Sequence, residues 1–363
     1  MKIALITIHD ANNYGAVLQA YATKKILSQY GEVSTINYNN SHLSNHLDII
    51  RFKLSIHGFK MFIHDLLRLK NRYTTINKFK SFIKDNMNLT KSVTKKEIFD
   101  GAMNNFDIYV CGSDQIWNPD IINANGRIDS TYFLDFAPNG TKIFAYASSM
   151  GAHEFTDNEN IQLKKLLSKF DRISVREKGS KDMLEALLKR DVEHVLDPTL
   201  LLSKDEWLQT LSIDLNSRSI QESYILVYSV PKSSLIKQAV TYYRKELGLN
   251  VVIIDQGLKP FVECDYHIDT AGPKNFIELF ANADFIITDS FHGTCFSVNF
   301  NKEFVSINPG SRGNRISSFL NLLCLNDRLV ENEISSLKKK INYEQINDIL
   351  KKNREKSLAV LKV

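Results

Sequence analysis

Three short stretches of this chain bring hydroxyl, amide and acid–base side chains together with small residues. The first is Ile8-His9-Asp10-Ala11-Asn12-Asn13-Tyr14-Gly15, and the second is Cys111-Gly112-Ser113-Asp114-Gln115-Ile116-Trp117-Asn118-Pro119. The third is Thr288-Asp289-Ser290-Phe291-His292-Gly293-Thr294. Each reads as a β-strand that ends in a tight turn and opens a helix. In open α/β sheets that arrangement puts side chains and unpaired helix amides at the crevice where ligands bind. His292 stands at such a helix start beside two hydroxyls and Gly293, able to meet an anion and to exchange a proton near neutral pH. The alternative role for a lone histidine is capping or packing. Of the nine histidines, His9 is the other that falls at a strand end.

The elements that must position these residues follow from hydrophobic period. Short β-branched runs alternate with helical-period segments, the pattern of an α/β protein with mostly parallel sheets. Strands are expected at Lys2–Ile8, Val33–Tyr38, Asp107–Cys111, Lys142–Ala147, Arg172–Val175 and Val192–Leu196. A second series is expected at Tyr224–Val230, Asn250–Asp255, Phe285–Thr288 and Phe304–Ile307. Tyr14, Val17, Leu18, Tyr21, Ala22 and Ile26 repeat at the spacing of a helix with a buried face. Further helices are expected over 157–169, 177–189, 233–247, 274–281 and 293–300. Asp197-Pro198-Thr199 ends the first series, because proline lacks an amide hydrogen and disfavours helix at the residue before it. The expected layout is a Rossmann-like domain over 1–205 carrying a basic helical insertion at about 45–100, and a second over 220–335. An amphipathic helix over 340–363 closes the fold, and a ligand cleft is expected between the two domains.

Length and composition agree with that layout. At 363 residues the chain exceeds what one core usually holds. Its 43% hydrophobic and 24% charged residues are those of an ordinary globular protein. Apolar runs are strand-sized, far short of a membrane span, and the N-terminus lacks a signal-peptide pattern. The four cysteines are scattered, which suits reduced thiols in the cytoplasm. There is no D-x-D, no H-E-x-x-H and no Cys/His cluster, so no metal is expected. No G-x-G-x-x-G follows a strand, which argues against a nicotinamide enzyme.

Six segments, in order, resemble the polysaccharide pyruvyltransferase family. They are Asn13-Tyr14-Gly15-Ala16-Val17-Leu18-Gln19, Gly112-Ser113-Asp114-Gln115-Ile116-Trp117, Tyr146-Ala147-Ser148-Ser149-Met150-Gly151, Ser174-Val175-Arg176-Glu177, Asp197-Pro198-Thr199-Leu200-Leu201 and the turn from Thr288 to Thr294. The resemblance implies two Rossmann-like domains in a glycosyltransferase-B-like arrangement with an interdomain cleft. It further implies phosphoenolpyruvate as donor co-substrate and a sugar diol, on a glycan or a lipid-linked sugar, as acceptor in cell-surface polysaccharide synthesis. No other cofactor is implied. His292 matches the family's acid/base and Arg176 its anion-binding arginine; a surface pair of Arg176 with Glu177 or Asp171 is the alternative.

In this reading Ser290, Gly293 and Thr294 join Arg176 in holding the donor. Some members carry arginine where this chain has Ser290, so the missing charge must come from Arg312, Arg315 or helix amides. Ser113, Asp114, Gln115 and Ser149 are expected to orient acceptor hydroxyls, with Trp117 against a sugar ring unless it is core. Asn13, Tyr14 and Gly15 either contact the acceptor or shape the turn. The rival enzyme is a nucleotide-sugar glycosyltransferase of the same fold, disfavoured because Gly293–Asn299 lacks the acid such enzymes use for the ribose. A non-catalytic sugar-binding protein is a further alternative, disfavoured because Arg176 and His292 are retained.

The charge of +5 is uneven: residues 51–96 hold twelve Lys/Arg against Asp65 and Asp85. Here Phe52, Ile56, Phe59, Met61, Ile63, Leu66 and Leu67 interleave with Lys53, Lys60, Arg68, Lys70 and Arg72. One expectation is a basic amphipathic helix on an anionic membrane, placing the protein peripherally at the inner face of the cell membrane. The other is a helical insertion of the first domain whose apolar face packs inward. Nucleic acid is not an expected partner, since no recognition module is matched.

Overall fold

The computed structural model describes residues 1–51, 55–310, 313–337 and 339–362. Phe52, Lys53, the side chain of Ile56, and Arg312 lie outside the described residues.

The chain forms two compact units, the first made of Met1–Leu47, Ile83–Leu201 and Lys351–Val363. Its sheet holds β1 (Lys2–Ile6), β2 (Glu32–Thr35), β3 (Ile108–Cys111), β4 (Lys142–Ser148), β5 (Arg172–Val175) and β6 (Glu193–His194). They run parallel in the order β2-β1-β3-β4-β5-β6. The continuous apolar run of β3 is buried at every residue, as a parallel strand covered on both faces requires. Ala4, Tyr109, Ile143, Leu163 and Ile173 share this unit's core. The helix Tyr14–Leu27 is buried on nearly all sides and packs against Pro198–Leu200.

The second unit is Asp48–Phe82 with Leu202–Leu350. Its sheet holds β7 (Tyr224–Tyr228), β8 (Asn250–Ile254), β9 (Tyr266–Ile268), β10 (Phe285–Thr288), β11 (Glu303–Ile307) and β12 (Leu329–Val330). These too are parallel, in the order β12-β11-β10-β7-β8-β9. The edge strands β9 and β12, of three and two residues, are additions to the sequence reading; runs so short carry no readable period. Both units are thus Rossmann-like, and the chain passes from one to the other at Leu201–Leu202.

Two segments fall differently from expectation. Residues 48–82 belong with the second unit, not the first. Asn71 Nδ2 donates to Asp269 Oδ2 at 2.6 Å, Thr75 Oγ1 to the Asp269 carbonyl at 3.2 Å, and Lys78 Nζ to the Thr270 carbonyl at 2.9 Å. A Cβ on Gly272 would lie 2.6 Å from Lys78 Cβ, so only glycine permits this approach. Arg68 and Arg72 are buried rather than surface cations. Arg72 Nε donates to the carbonyls of Asp48 and Ile49, and Arg68 Nη2 lies 3.7 Å from Asp269 Oδ2. The helix Tyr343–Val360 is shared: its start belongs to the second unit and its end to the first. There Ser357 Oγ accepts the Leu196 amide, and Arg172 Nη1 donates to the Val360 carbonyl.

In each sheet the strand order reverses once. Successive strands leave β1 toward β2 on one side and β3 on the other, and leave β7 toward β8 and β10 likewise. At such a reversal the loops beyond the two strands diverge and open a crevice at their carboxyl ends. In the first unit those loops are the His9 and Ser113 segments. In the second they are the loop after β7 and the His292 turn.

Candidate functional site

In the second unit, β10 ends at Thr288, and Ser290 caps the helix Phe291–Asn299 by accepting the Gly293 amide at 3.3 Å. Thr288 Oγ1 donates to the Tyr228 carbonyl at 2.7 Å and accepts the Ser290 amide at 3.1 Å, which fixes the turn to β7. A Cβ on Gly293 would fall 2.2 Å from Thr288 Oγ1, so the helix start can press on the strand only because this residue is glycine. Thr294 Oγ1 bonds to the Ser290 carbonyl and to Ser306 Oγ at 2.7 Å. Ser290, Gly293 and Thr294 therefore build the turn. His292 follows in the first helical turn, nearly buried, its ring edge-on to Phe291 with centroids 5.4 Å apart. The first turn of a helix carries N–H groups that the helix cannot satisfy and the positive end of its dipole.

Positive charge is brought to this turn from outside it. Arg315 lays its guanidinium over the Phe291 ring, 5.6 Å from its centroid. The loop after β7 carries Lys232, but its ammonium is paired with Asp255 Oδ1 at 2.6 Å. Sequence reasoning passed over this loop. Asp289 ties the two loops together, accepting Ser229 Oγ at 2.6 Å and the Val230 amide at 2.8 Å. Burial raises the Asp289 pKa, although these hydrogen bonds oppose the rise.

The corresponding edge of the first unit is acidic. Arg176 follows β5 with its side chain 2% exposed and is held by three carboxylates. Asp197 Oδ2 lies at 2.7 Å, Glu177 Oε1 at 3.2 Å and Asp114 Oδ1 at 3.7 Å. Burial pulls the Arg176 pKa down, but Glu177, Asp197 and Asp114 more than offset it and leave it above its ordinary value. The expected anion-binding arginine is thus already paired with carboxylates in this structure.

The Ser113 turn sits beside this cluster. Asp114 has φ +64°, and Ala147, at the bulge that ends β4, has φ +48°. Such left-handed backbone at non-glycine residues costs of order 1–3 kcal/mol and persists where surrounding contacts impose it. Here Ser113 Oγ donates to the Ala147 carbonyl at 2.8 Å, and Ser174 Oγ accepts the Ala147 amide at 3.1 Å. Ser149 Oγ donates to Glu177 Oε1 at 2.7 Å, and Gln115 Oε1 accepts Asn118 Nδ2 at 2.9 Å. Trp117 is core: it is 1% exposed, stacks on Phe133 at 5.2 Å and donates Nε1 to the Tyr132 carbonyl. It offers no face to a sugar. Asn13 Oδ1 accepts the Ala16 amide as helix cap, and Tyr14 and Gly15 are buried in that helix, so this segment shapes the turn.

His9, just past β1, lies across the strand-order reversal from Ser113. Its Nδ1 faces the Thr7 carbonyl at 3.2 Å, which makes Nδ1 the N–H donor and leaves Nε2 a lone pair. That Nε2 is buried and makes no hydrogen bond among the described residues. Burial lowers the His9 pKa against the opposing pull of Asp10, the Thr7 carbonyl and Asn37. The folded protein therefore keeps His9 neutral at a pH where the unfolded chain, at about 6.5, takes a proton. Stability contributed by neutral His9 is complete above that value and falls as pH drops below it. His9→Asn is expected to flatten the decline of Tm between about pH 7 and pH 5, leaving the share of His194, which burial also lowers. An unchanged slope would show that His9 titrates alike in both states.

Among the described residues no group of three or more His, Cys, Asp or Glu side chains is placed to hold a metal ion. A family model described as polysaccharide pyruvyl transferase matches residues 13–311. No curated protein matches the chain. Among solved structures, UDP-GlcNAc 2-epimerase from Methanocaldococcus jannaschii is similar at 11% identity and TM-score 0.49, covering 97% of this chain and 92% of that one. The Neisseria meningitidis UDP-GlcNAc 2-epimerase bound to UDP-GlcNAc gives 11% and 0.48, with 100% and 94% covered. An alpha-glucosyltransferase in complex with UDP and DNA gives 10% and 0.48, with 99% and 95% covered. Identities this low carry no function with them.

Proposed function

The chain belongs to the polysaccharide pyruvyl transferase family, and on that premise we propose that it moves pyruvate from phosphoenolpyruvate onto two hydroxyls of a sugar as a cyclic ketal. The observation that carries the reading is the His292 turn. There a general acid candidate and a helix N-terminus share one turn at the strand-order reversal of the second unit, and the Arg315 guanidinium, from the helix Asn314–Leu322, lies over the adjoining Phe291 ring. This combination suits a donor that is both anionic and in need of a proton.

The reaction balances as follows. The donor's methylene carbon gains a proton from His292 and becomes a methyl group, and the adjoining carbon turns cation-like. A sugar hydroxyl adds to that carbon and returns its proton to His292; the second hydroxyl then displaces phosphate, closes the ring and gives its proton to the departing phosphate. Arg315 and the helix amides would hold the phosphate and carboxylate, standing in for the arginine that Ser290 replaces. Within the first unit, Asp114 and Glu177 are carboxylates paired to the Arg176 guanidinium. Arg176 is then a positioning residue that fixes Asp114 and Glu177.

Phosphoenolpyruvate is expected to raise the melting temperature, while UDP- and GDP-sugars leave it unchanged. Binding to the native state alone adds about 2.7 kcal/mol at a hundredfold excess over Kd. A shift with a nucleotide sugar and none with phosphoenolpyruvate would establish the glycosyltransferase reading instead.

A further inference from the structure

The helix Ile56–Leu67 is built inside out. Phe59, Ile63, Leu66 and Leu67 recur at the spacing that places side chains on one helical face. All four are exposed, Phe59 by 57% and Leu67 by 68%. Leu69 and Tyr73, in the following helix Leu69–Asn86, add exposed apolar surface. The carboxylate of the same helix points the other way: Asp65 is fully buried, bound by Arg51 through Nη2 at 2.7 Å and Nε at 2.9 Å, with Arg72 Nε at 3.6 Å. An amphipathic helix of a globular protein ordinarily turns its apolar stripe to the core. One that buries its ion pairs and exposes its stripe is shaped for contact with something apolar outside the chain.

Charge indicates what that is. From Ser55 to Lys84 the only carboxylate is Asp65, and Asp85 follows at the far end of the second helix. The exposed charges in that stretch are lysines, with Lys60 and Lys70 adjoining the apolar residues in sequence. An apolar stripe among lysines, with no exposed acid, is the composition of a helix lying in a bilayer interface over anionic headgroups. Lysine stems can rest on the acyl boundary while their ammonium groups reach lipid phosphates. A second copy of this face would bring the same lysines together and repel.

We infer that this pair of successive helices docks the protein on an anionic phospholipid surface, with Phe59, Ile63, Leu66 and Leu67 at the acyl boundary and Lys60 and Lys70 on headgroups. The docking is independent of the transfer chemistry, so its test requires no substrate. The full chain is floated with vesicles of phosphatidylcholine, alone or mixed with phosphatidylglycerol, at low and high salt. Recovery is expected on the mixed vesicles at low salt and falls as salt rises. Phe59→Ser with Leu67→Ser abolishes it without changing the melting temperature, since both side chains are exposed. Lys60→Gln and Lys70→Gln each weaken partition by about fivefold. Equal recovery on both vesicle types, or recovery unaffected by the apolar pair, would overturn the inference. So would a dimer in sedimentation that Leu67→Ser dissolves while vesicles recover nothing.

Discussion

Replacing His292 by glutamine is expected to slow turnover on the order of a hundredfold or more while leaving the fold and the phosphoenolpyruvate-induced thermal shift in place. Glutamine fills a similar volume in the nearly buried first turn of the Phe291–Asn299 helix and can still hydrogen-bond. It cannot deliver a proton to carbon. The donor's anionic groups, in contrast, would meet Arg315 and the helix dipole, which the substitution does not touch. The predicted signature is a fall in kcat with little change in donor KM, measured as phosphate release in the presence of acceptor. Retention of near-native turnover by His292→Gln would remove the histidine as acid. Loss of the thermal shift instead of the rate would make it a binding residue.

The second large effect concerns stability. Arg176→Met is expected to destabilise the first unit by about 3–5 kcal/mol, the range found when one partner of a buried ion pair is removed. Asp197, fully buried, would keep Thr199 Oγ1 and the Thr199 amide as partners but lose its cation. Asp114 and Glu177 would then repel each other across the vacated space. Arg176→Lys should fall between, because one ammonium cannot reach three carboxylates as a guanidinium fork does. Adding Asp197→Asn to Arg176→Met should recover part of the loss. Urea unfolding of the three variants measures this directly. Near-native stability for Arg176→Met, together with loss of the phosphoenolpyruvate shift, would return Arg176 to donor binding.

Local chemistry was legible wherever a residue's role is set by its own neighbours in sequence. Ser290 followed by Gly293 marks a helix start, and Asn13 marks another, because a cap needs only a side-chain oxygen a few residues ahead of the first free amide. The apolar runs of β1, β3 and β10 announced buried parallel strands, and the ordered motifs announced the family. His292 could be placed at a strand's end from those signals alone. Strand order is a different kind of property, arising from pairings such as Ile225 with Phe285 and Ile3 with Ile108, between residues far apart in the chain. It decides that the loop after β7, with Ser229 and Lys232, faces the His292 turn, and that His9 lies across from Ser113. Arg176 looked like a cation awaiting an anion because Asp114 and Asp197 lie 62 and 21 residues away in the chain. Trp117 read equally well as sugar platform or core until Phe133 and Tyr132 closed over it. The helix Ile56–Leu67 shows the limit most clearly: its period established a stripe, but period is blind to direction. The ion pairs of Asp65 with Arg51 and Arg72 turn the polar side inward and leave the apolar side out. A sequence determines which faces a helix has; which face is buried depends on the partners the tertiary fold brings to it.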